Sequence, residues 1–192
     1  MSFDQMMIRY TAPTLCEIKS GNLFAVKNSD FSLRKFLSWR EKLGHFGIRL
    51  LAVQARCKNI LILAYNVCWV RMLLEDSFTR AYLSSKGYSG GEELSPDAFV
   101  TELKSRIKNS NSFPHEIGII LGYPITDVIE FDRNQGKASK YCGYWKSYSN
   151  VEGAKKCQCL YKDCSGKCCQ MFEEGRSLSQ IIKEYKKAVK AA

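Results

Sequence analysis

The sequence predicts an α+β fold, in which a small, largely antiparallel sheet is covered by several helices and followed by a helical C-terminal segment. Helical patterns outnumber strand patterns along the 192 residues. The clearest strand pair, at residues 48–53 and 60–65, is joined by a short polar stretch, which indicates a hairpin rather than a crossover connection. Hydrophobic residues make up 45% of the chain, which is enough for a sizeable core, and no internal repeat is visible.

In the first half of the chain, capping residues and apolar spacing predict the elements. Ser2 is suited to cap a helix over residues 2–11, and Pro13 is expected to break or kink that helix. The further elements are a strand at residues 22–26, a helix that begins after Asp30 or Ser32 and ends near Gly44 or Gly47, the hairpin, and one helix over residues 67–83.

In the second half, prolines mark helix starts, because proline is favoured in the first helical turn. Pro96 begins a helix that runs to about Ile107, and two short helices are expected to flank residues 122–124. The remaining elements are an extended, aromatic-rich stretch at residues 141–148, a helix from about Val151 and a last helix from Ser177.

Composition favours a cytoplasmic protein. The longest apolar stretch, residues 60–65, is far too short to cross a bilayer, and the N-terminus lacks the basic and apolar regions of a secretory signal. Nine cysteines, an odd number, argue against a closed disulfide framework and favour a reducing compartment. We therefore expect no membrane insertion, and the sequence leaves the oligomeric state open.

The chain is divided by its composition into an α+β core domain at residues 1–150 and a segment at residues 151–192. We expect the second to be helical, cysteine-rich and basic, and to pack on the same domain. The net charge of +10 would attract an acidic protein or nucleic acid, although it also serves solubility alone. The candidate polyanion-binding residues are Arg133, Lys140, Lys146, Lys155 and Lys156.

Five cysteines lie close together near the C-terminus, namely Cys157, Cys159, Cys164, Cys168 and Cys169. Thiolates are preferred ligands of zinc, copper(I) and iron–sulfur clusters, so this cluster predicts a soft-metal site, with zinc or iron as the candidate ion. On one helix, Cys157, Cys164 and Cys168 would share a face, and Cys142 or another chain would complete the ligands. Buried structural thiols and redox-active thiols remain alternatives, and a break at residues 165–166 would let the cysteines converge.

Residues 115–131 resemble a helix-turn-helix in their packing pattern, with Gly122 ending one helix and Pro124 opening the next. The second helix, however, would expose Asp127 and Glu130 where a DNA-reading helix needs basic or amide side chains. Nucleic-acid binding through this element and the basic surface is therefore the alternative function.

A pocket near His115 is the remaining candidate site, and His115, Glu116, Tyr123 and Trp145 would line it. The sequence holds only two histidines and offers no identifiable nucleophile beside His115. No catalytic residue is therefore assigned, and enzymatic activity is left open with a non-enzymatic role favoured. The aromatic residues at 141–148 would suit base stacking, although a half-buried sheet edge explains them more simply.

Three motifs resemble those of an uncharacterised bacterial family, domain of unknown function 3793. They are residues 10–15 (YTAPTL), residues 113–128 (FPHEIGIILGYPITDV) and residues 143–148 (GYWKSY). The resemblance covers nearly the whole chain and includes cysteines like Cys164 and Cys169 ahead of a Gly-x-Ser at residues 175–177. It implies one intact domain of cytoplasmic origin and points toward iron or redox physiology, but it supplies no mechanism. Cys157, Cys159 and Cys168 depart from the family pattern, so a five-cysteine site would not be a family property.

The leading hypothesis is a non-enzymatic accessory or binding protein whose C-terminal cysteines bind a soft metal or sense redox state. It competes with the nucleic-acid hypothesis, which predicts an affinity that falls steeply as salt rises.

Overall fold

The computed structural model describes residues 1–54, 59–88, 94–109 and 113–190. Within these ranges the chain forms nine helices and five strands, which confirms the predicted α+β class. In chain order they are α1 (Phe3–Leu15), β1 (Gly21–Lys27), α2 (Leu33–Gly44), β2 (Ile48–Gln54), β3 (Asn59–Asn66), α3 (Val67–Glu75), α4 (Ser77–Ser85), α5 (Pro96–Asn109), α6 (Ile117–Ile120), α7 (Ile125–Arg133), β4 (Tyr141–Cys142), β5 (Lys146–Ser147), α8 (Val151–Glu173) and α9 (Leu178–Lys190).

The main sheet has three strands in the order β1-β3-β2, and both pairings are antiparallel. Strands β2 and β3 form the predicted hairpin, with Ile48 opposite Asn66; most of its predicted turn, at residues 55–58, lies outside the described residues. Strand β1 returns to the other side of β3, with Gly21 opposite Tyr65. The hairpin strand β3 is thus the centre of the sheet.

Helices cover both faces of this sheet, because side chains along a strand alternate between its faces. Ile62 and Ala64 of β3 pack in one apolar cluster with α1, α2, α8 and α9. Leu63 and Tyr65 pack in a second cluster with α3 to α7. The chain therefore builds two cores, one on each side of a three-stranded sheet.

Helix α1 continues through Pro13, the residue that is expected to break or kink it. Ser2 caps it as predicted, since its hydroxyl accepts a hydrogen bond from the Gln5 backbone N–H while the Gln5 side chain accepts one from the Ser2 N–H. The predicted break at Pro13 is wrong, because the helix continues to Leu15. Pro13 lies in the last turn, where its missing N–H removes a single helical hydrogen bond.

The predicted helix over residues 67–83 is two helices, α3 and α4, which meet at Asp76. The backbone of Asp76 is extended, and its carboxylate accepts a hydrogen bond from the N–H of Thr79, so it caps a new helix. Phe78 lies at the start of α4 and is 71% exposed, although in one continuous helix over residues 67–83 its spacing would place it on the same face as Val70 and Leu74.

Helix α8 is unbroken for 23 residues, so the suggested interruption at residues 165–166 is absent. Its buried residues, Ala154, Tyr161, Cys164 and Cys168, form one face, and that face packs along α1. None of the helices in the described ranges has the length and apolarity needed to span a membrane.

Candidate functional site

Three buried cysteines from distant parts of the chain meet between α1 and α8. Cys16 caps the C-terminus of α1, while Cys164 and Cys168 lie one turn apart on α8. The Sγ atom of Cys168 lies 3.6 Å from that of Cys16 and 3.9 Å from that of Cys164. All three sulfur atoms lie within 4.8 Å of one another, and at most 2% of each residue is exposed. We call these residues the thiol triad.

The pKa values of the three thiols in the triad are shifted in different directions. Hydrogen bonds with the thiols of Cys164 and Cys168 lower the pKa of Cys16 well below its usual range, and the charge of Lys186 adds to this. The hydrogen bond with Cys16 raises the pKa of Cys164 and also that of Cys168. The three thiols therefore titrate as one coupled group.

The spacing of the sulfur atoms is close to that around a metal ion. At a metal–sulfur distance of about 2.3 Å, two thiolates on one ion lie about 3.8–4.0 Å apart. The distances from Sγ of Cys168 to the other two sulfur atoms, 3.6 and 3.9 Å, are near this value. The hydroxyl of Tyr185 is buried and lies beside the thiol of Cys164. Burial raises the pKa of Tyr185, and the neighbouring Cys164 raises it further, so this oxygen belongs to the surroundings of the triad.

The other cysteines of the predicted cluster lie outside the triad. Cys157 and Cys169 are half-buried at other positions on α8, and Cys159 is exposed. Cys142, suggested as a further ligand, is exposed in β4. In the described ranges, the thiol triad is the group of potential metal ligands whose atoms lie close enough to share one ion.

Cys16 was not recognised from the sequence, because it lies almost 150 residues before Cys164. One signal was present, since Cys16 directly follows the motif at residues 10–15. That motif forms the last part of α1, and the helix places Cys16 against α8.

The other two motifs build a pocket of about 380 Å³ on the opposite core, which we call the motif pocket. Its walls are mainly apolar and aromatic. The lining includes Phe113, Pro114, His115, Gly118, Tyr123, Asp127, Phe131, Cys142, Trp145 and Lys146. Of the four residues predicted for a pocket, His115, Tyr123 and Trp145 meet here, and the rings of Tyr123 and Trp145 stack with centroids 5.0 Å apart.

The remaining predicted pocket residue, Glu116, points away from the motif pocket. It is buried against Arg106, whose guanidinium lies 3.3 Å from its carboxylate. Nδ1 of His115 lies 3.0 Å from the carboxylate of Asp132, which also pairs with Lys86. The side chains of His115 and Glu116 are thus held by different partners and do not form a pair.

Asp127 is buried, which corrects the expectation that it lies on the exposed side of a recognition helix. Its carboxylate accepts hydrogen bonds from Nε1 of Trp145 at 2.8 Å, from the N–H of Tyr148 at 2.9 Å, and from the N–H and hydroxyl of Ser149. Asp127 therefore fastens the segment after β4 onto α7. The predicted pair of short helices is present as α6 and α7, but this segment covers part of α7.

Two glycines, one in α6 and one just after it, allow close approach of neighbouring side chains. A Cβ atom on Gly118 would lie 2.8 Å from Cγ2 of Val128. Gly122 has a φ of +71°, which glycine adopts without strain, and a Cβ atom there would lie 2.6 Å from Oγ of Ser20.

The predicted polyanion-binding residues do not form one patch of unpaired charge. Arg133 pairs with Glu130, and Lys155 pairs with Glu152. The ammonium of Lys146 donates a hydrogen bond to the carbonyl of Gly136 at 2.6 Å. Lys140 and Lys156 are exposed.

Fold and site together define an α+β protein with a buried three-thiol cluster beside α1 and a separate aromatic pocket. A family model described as "Protein of unknown function (DUF3793)" matches residues 7–182. The chain therefore belongs to this family, as its motifs predicted. No curated protein and no solved structure matches the chain.

Proposed function

We propose that this protein is an accessory protein that binds one soft metal ion through the thiolates of Cys16, Cys164 and Cys168. The observation that carries the proposal is the convergence of three buried sulfur atoms from two helices within 4.8 Å. Soft thiolate ligands select ions such as zinc and copper(I), and they also bind iron.

The compactness of the triad favours a single ion over an iron–sulfur cluster. In a cluster, the cysteines bind different iron atoms and their sulfur atoms lie farther apart than on one ion. The buried hydroxyl of Tyr185 beside Cys164 supports a site with one further ligand position, which this oxygen or a water molecule would fill. Zinc and mononuclear iron are therefore the first ions to test.

Untagged protein purified without oxygen is expected to contain about one equivalent of metal, because a three-thiolate site holds a single ion. Elemental analysis for zinc, iron and copper, together with a visible absorption spectrum, measures this directly. Protein that holds no metal and takes up none when zinc or iron(II) is added under nitrogen would refute the proposal. A disulfide between Cys16 and Cys168 under the same conditions would favour redox sensing instead.

Metal binding at neutral pH is expected to release about two protons per ion, because a thiol must lose its proton to become a ligand. The pKa of Cys16 is lowered, whereas the pKa values of Cys164 and Cys168 are raised, so two of the three thiols are expected to carry protons that the metal displaces. Calorimetric titration with zinc in two buffers of different ionisation enthalpy gives the number of protons. Affinity should fall as pH falls, and zinc binding without proton release would contradict binding at the triad.

Nucleic-acid binding through the basic surface and residues 115–131 stays a prediction. The net charge of +10 supports it, whereas the burial of Asp127 under residues 145–149 does not. If the protein binds neither double-stranded nor single-stranded nucleic acid at low salt, this alternative is excluded.

A further inference from the structure

Lys19 is a buried lysine at the junction of α1 and β1. Its backbone N–H donates to the carbonyl of Pro13 at 3.1 Å, and the next residue, Ser20, donates its hydroxyl to the carbonyl of Ile120 at 2.7 Å. These two hydrogen bonds attach the segment that contains Lys19 to the end of α1 and to the motif at residues 113–128. Only 4% of Lys19 remains exposed.

The ammonium of Lys19 lies among three tyrosine rings. It is 5.6 Å from the ring centroid of Tyr123, 5.5 Å from that of Tyr144 and 5.3 Å from that of Tyr161. It makes no hydrogen bond or ion pair with any residue in the described ranges. Burial lowers the pKa of Lys19 to about 8, since ring faces replace water only in part.

Lys19 lines a cavity of about 370 Å³, which we call the lysine pocket. Arg9 and Lys162, both exposed, bring two more positive charges to its lining, and none of the lining residues is acidic. The pocket also has partly exposed aromatic walls, formed by Tyr10 and Tyr144. Its volume lies within the range of about 300–1,000 Å³ typical of small-molecule sites.

We propose that the lysine pocket binds a small phosphorylated molecule that carries a planar ring. The phosphate would lie among Arg9, Lys19 and Lys162, and the ring against Tyr144. Three cations without a carboxylate favour a dianion over a single negative charge. A buried, unpaired lysine costs stability, and an anion in the pocket would supply its missing partner.

This proposal does not depend on metal binding, because no residue of the thiol triad lines the lysine pocket. It also differs from the nucleic-acid alternative, which uses the basic surface and the element at residues 115–131, because neither that element nor the candidate polyanion-binding residues line the lysine pocket. The lysine pocket and the thiol triad do, however, both use helices α1 and α8 as part of their framework.

Calorimetric titration with phenyl phosphate, inorganic phosphate and phenol at low salt tests the proposal. Phenyl phosphate should bind at one saturable site and more tightly than inorganic phosphate, because it places a ring as well as a dianion in the pocket. Phenol, which lacks the charge, should bind far more weakly. Equal affinity for phenyl phosphate and inorganic phosphate would overturn the proposed ring contact. If neither compound binds at a saturable site, the proposed site itself is overturned.

Lys19→Met should weaken the binding of phenyl phosphate at least about tenfold, as the loss of a buried charge partner does. Lys187→Met, at an exposed position on α9, is the matched control and should bind like the wild type. Arg9→Met with Lys162→Met removes two exposed charges of the pocket and tests it independently of any folding defect at Lys19. Wild-type affinity in both pocket variants would overturn the assignment.

Discussion

Replacing Cys164 and Cys168 together by serine is expected to weaken metal binding by at least about a thousandfold, because zinc binds complete structural sites with about 10–16 kcal/mol and the variant keeps only one of the three thiolates. The single remaining thiol, Cys16, cannot hold an ion with comparable affinity. Competition with a chromophoric chelator under nitrogen measures the affinity of the wild type and of the variant.

The matched control is Cys157→Ser with Cys159→Ser, which also removes two sulfur atoms from α8. Cys157 and Cys159 lie outside the triad, so this variant should bind metal like the wild type. Cys16→Ala adds a third test from a different helix and should lose affinity although the C-terminal cysteines are intact. The structure would be contradicted if the control lost its metal and the Cys164 and Cys168 variant retained it.

Asp127→Ala is expected to lower the free energy of unfolding by about 3 kcal/mol, because it removes a buried carboxylate and leaves several partly buried donors without their acceptor. These include Nε1 of Trp145 and the backbone N–H of Tyr148. For a chain of this size, the loss corresponds to a fall of about 6–12 °C in Tm. Denaturant titration measures the stability, and the near-ultraviolet circular dichroism reports the packing of Trp145.

Asp163→Ala is the control for Asp127→Ala, since Asp163 is exposed and makes an i,i+4 ion pair with Lys167. Exposed pairs of this kind contribute about 0.3–0.5 kcal/mol, so its stability should change little. Asp127→Asn keeps one acceptor oxygen and should fall between the two. Equal stability of the Asp127 and Asp163 variants would mean that residues 145–149 are held by other contacts.

Local signals in the sequence predicted most of the elements. The capping serines Ser2 and Ser32 and the alternating hairpin strands act over a few residues, so their effect can be read from spacing. The errors at Pro13 and Asp76 have the same local origin. Proline is tolerated near a helix end, and an aspartate inside an apolar pattern can cap a new helix, so residue type alone did not decide either case.

The candidate sites were predicted only in part, because they depend on contacts between distant segments. The helical face with Cys164 and Cys168 follows from a spacing of four residues, but Cys16 reaches it through the packing of α1 on α8. Lys19 gave no signal in the sequence, since its burial comes from tyrosines on three other segments. Periodicity describes a single element and cannot show which elements become neighbours.

The pairing of α1 with α8 also sets an order for assembly on the ribosome. The apolar face of α1, with Met7, Ile8 and Ala12, is completed by a helix whose first residue is Val151. At about 5–20 residues per second, translation leaves that face without its partner for about 7–30 seconds. A nascent chain that stalls before α8 would thus expose a hydrophobic helix to chaperones and to other chains. Folding of this core must therefore finish late, after nearly all of its sequence has been made.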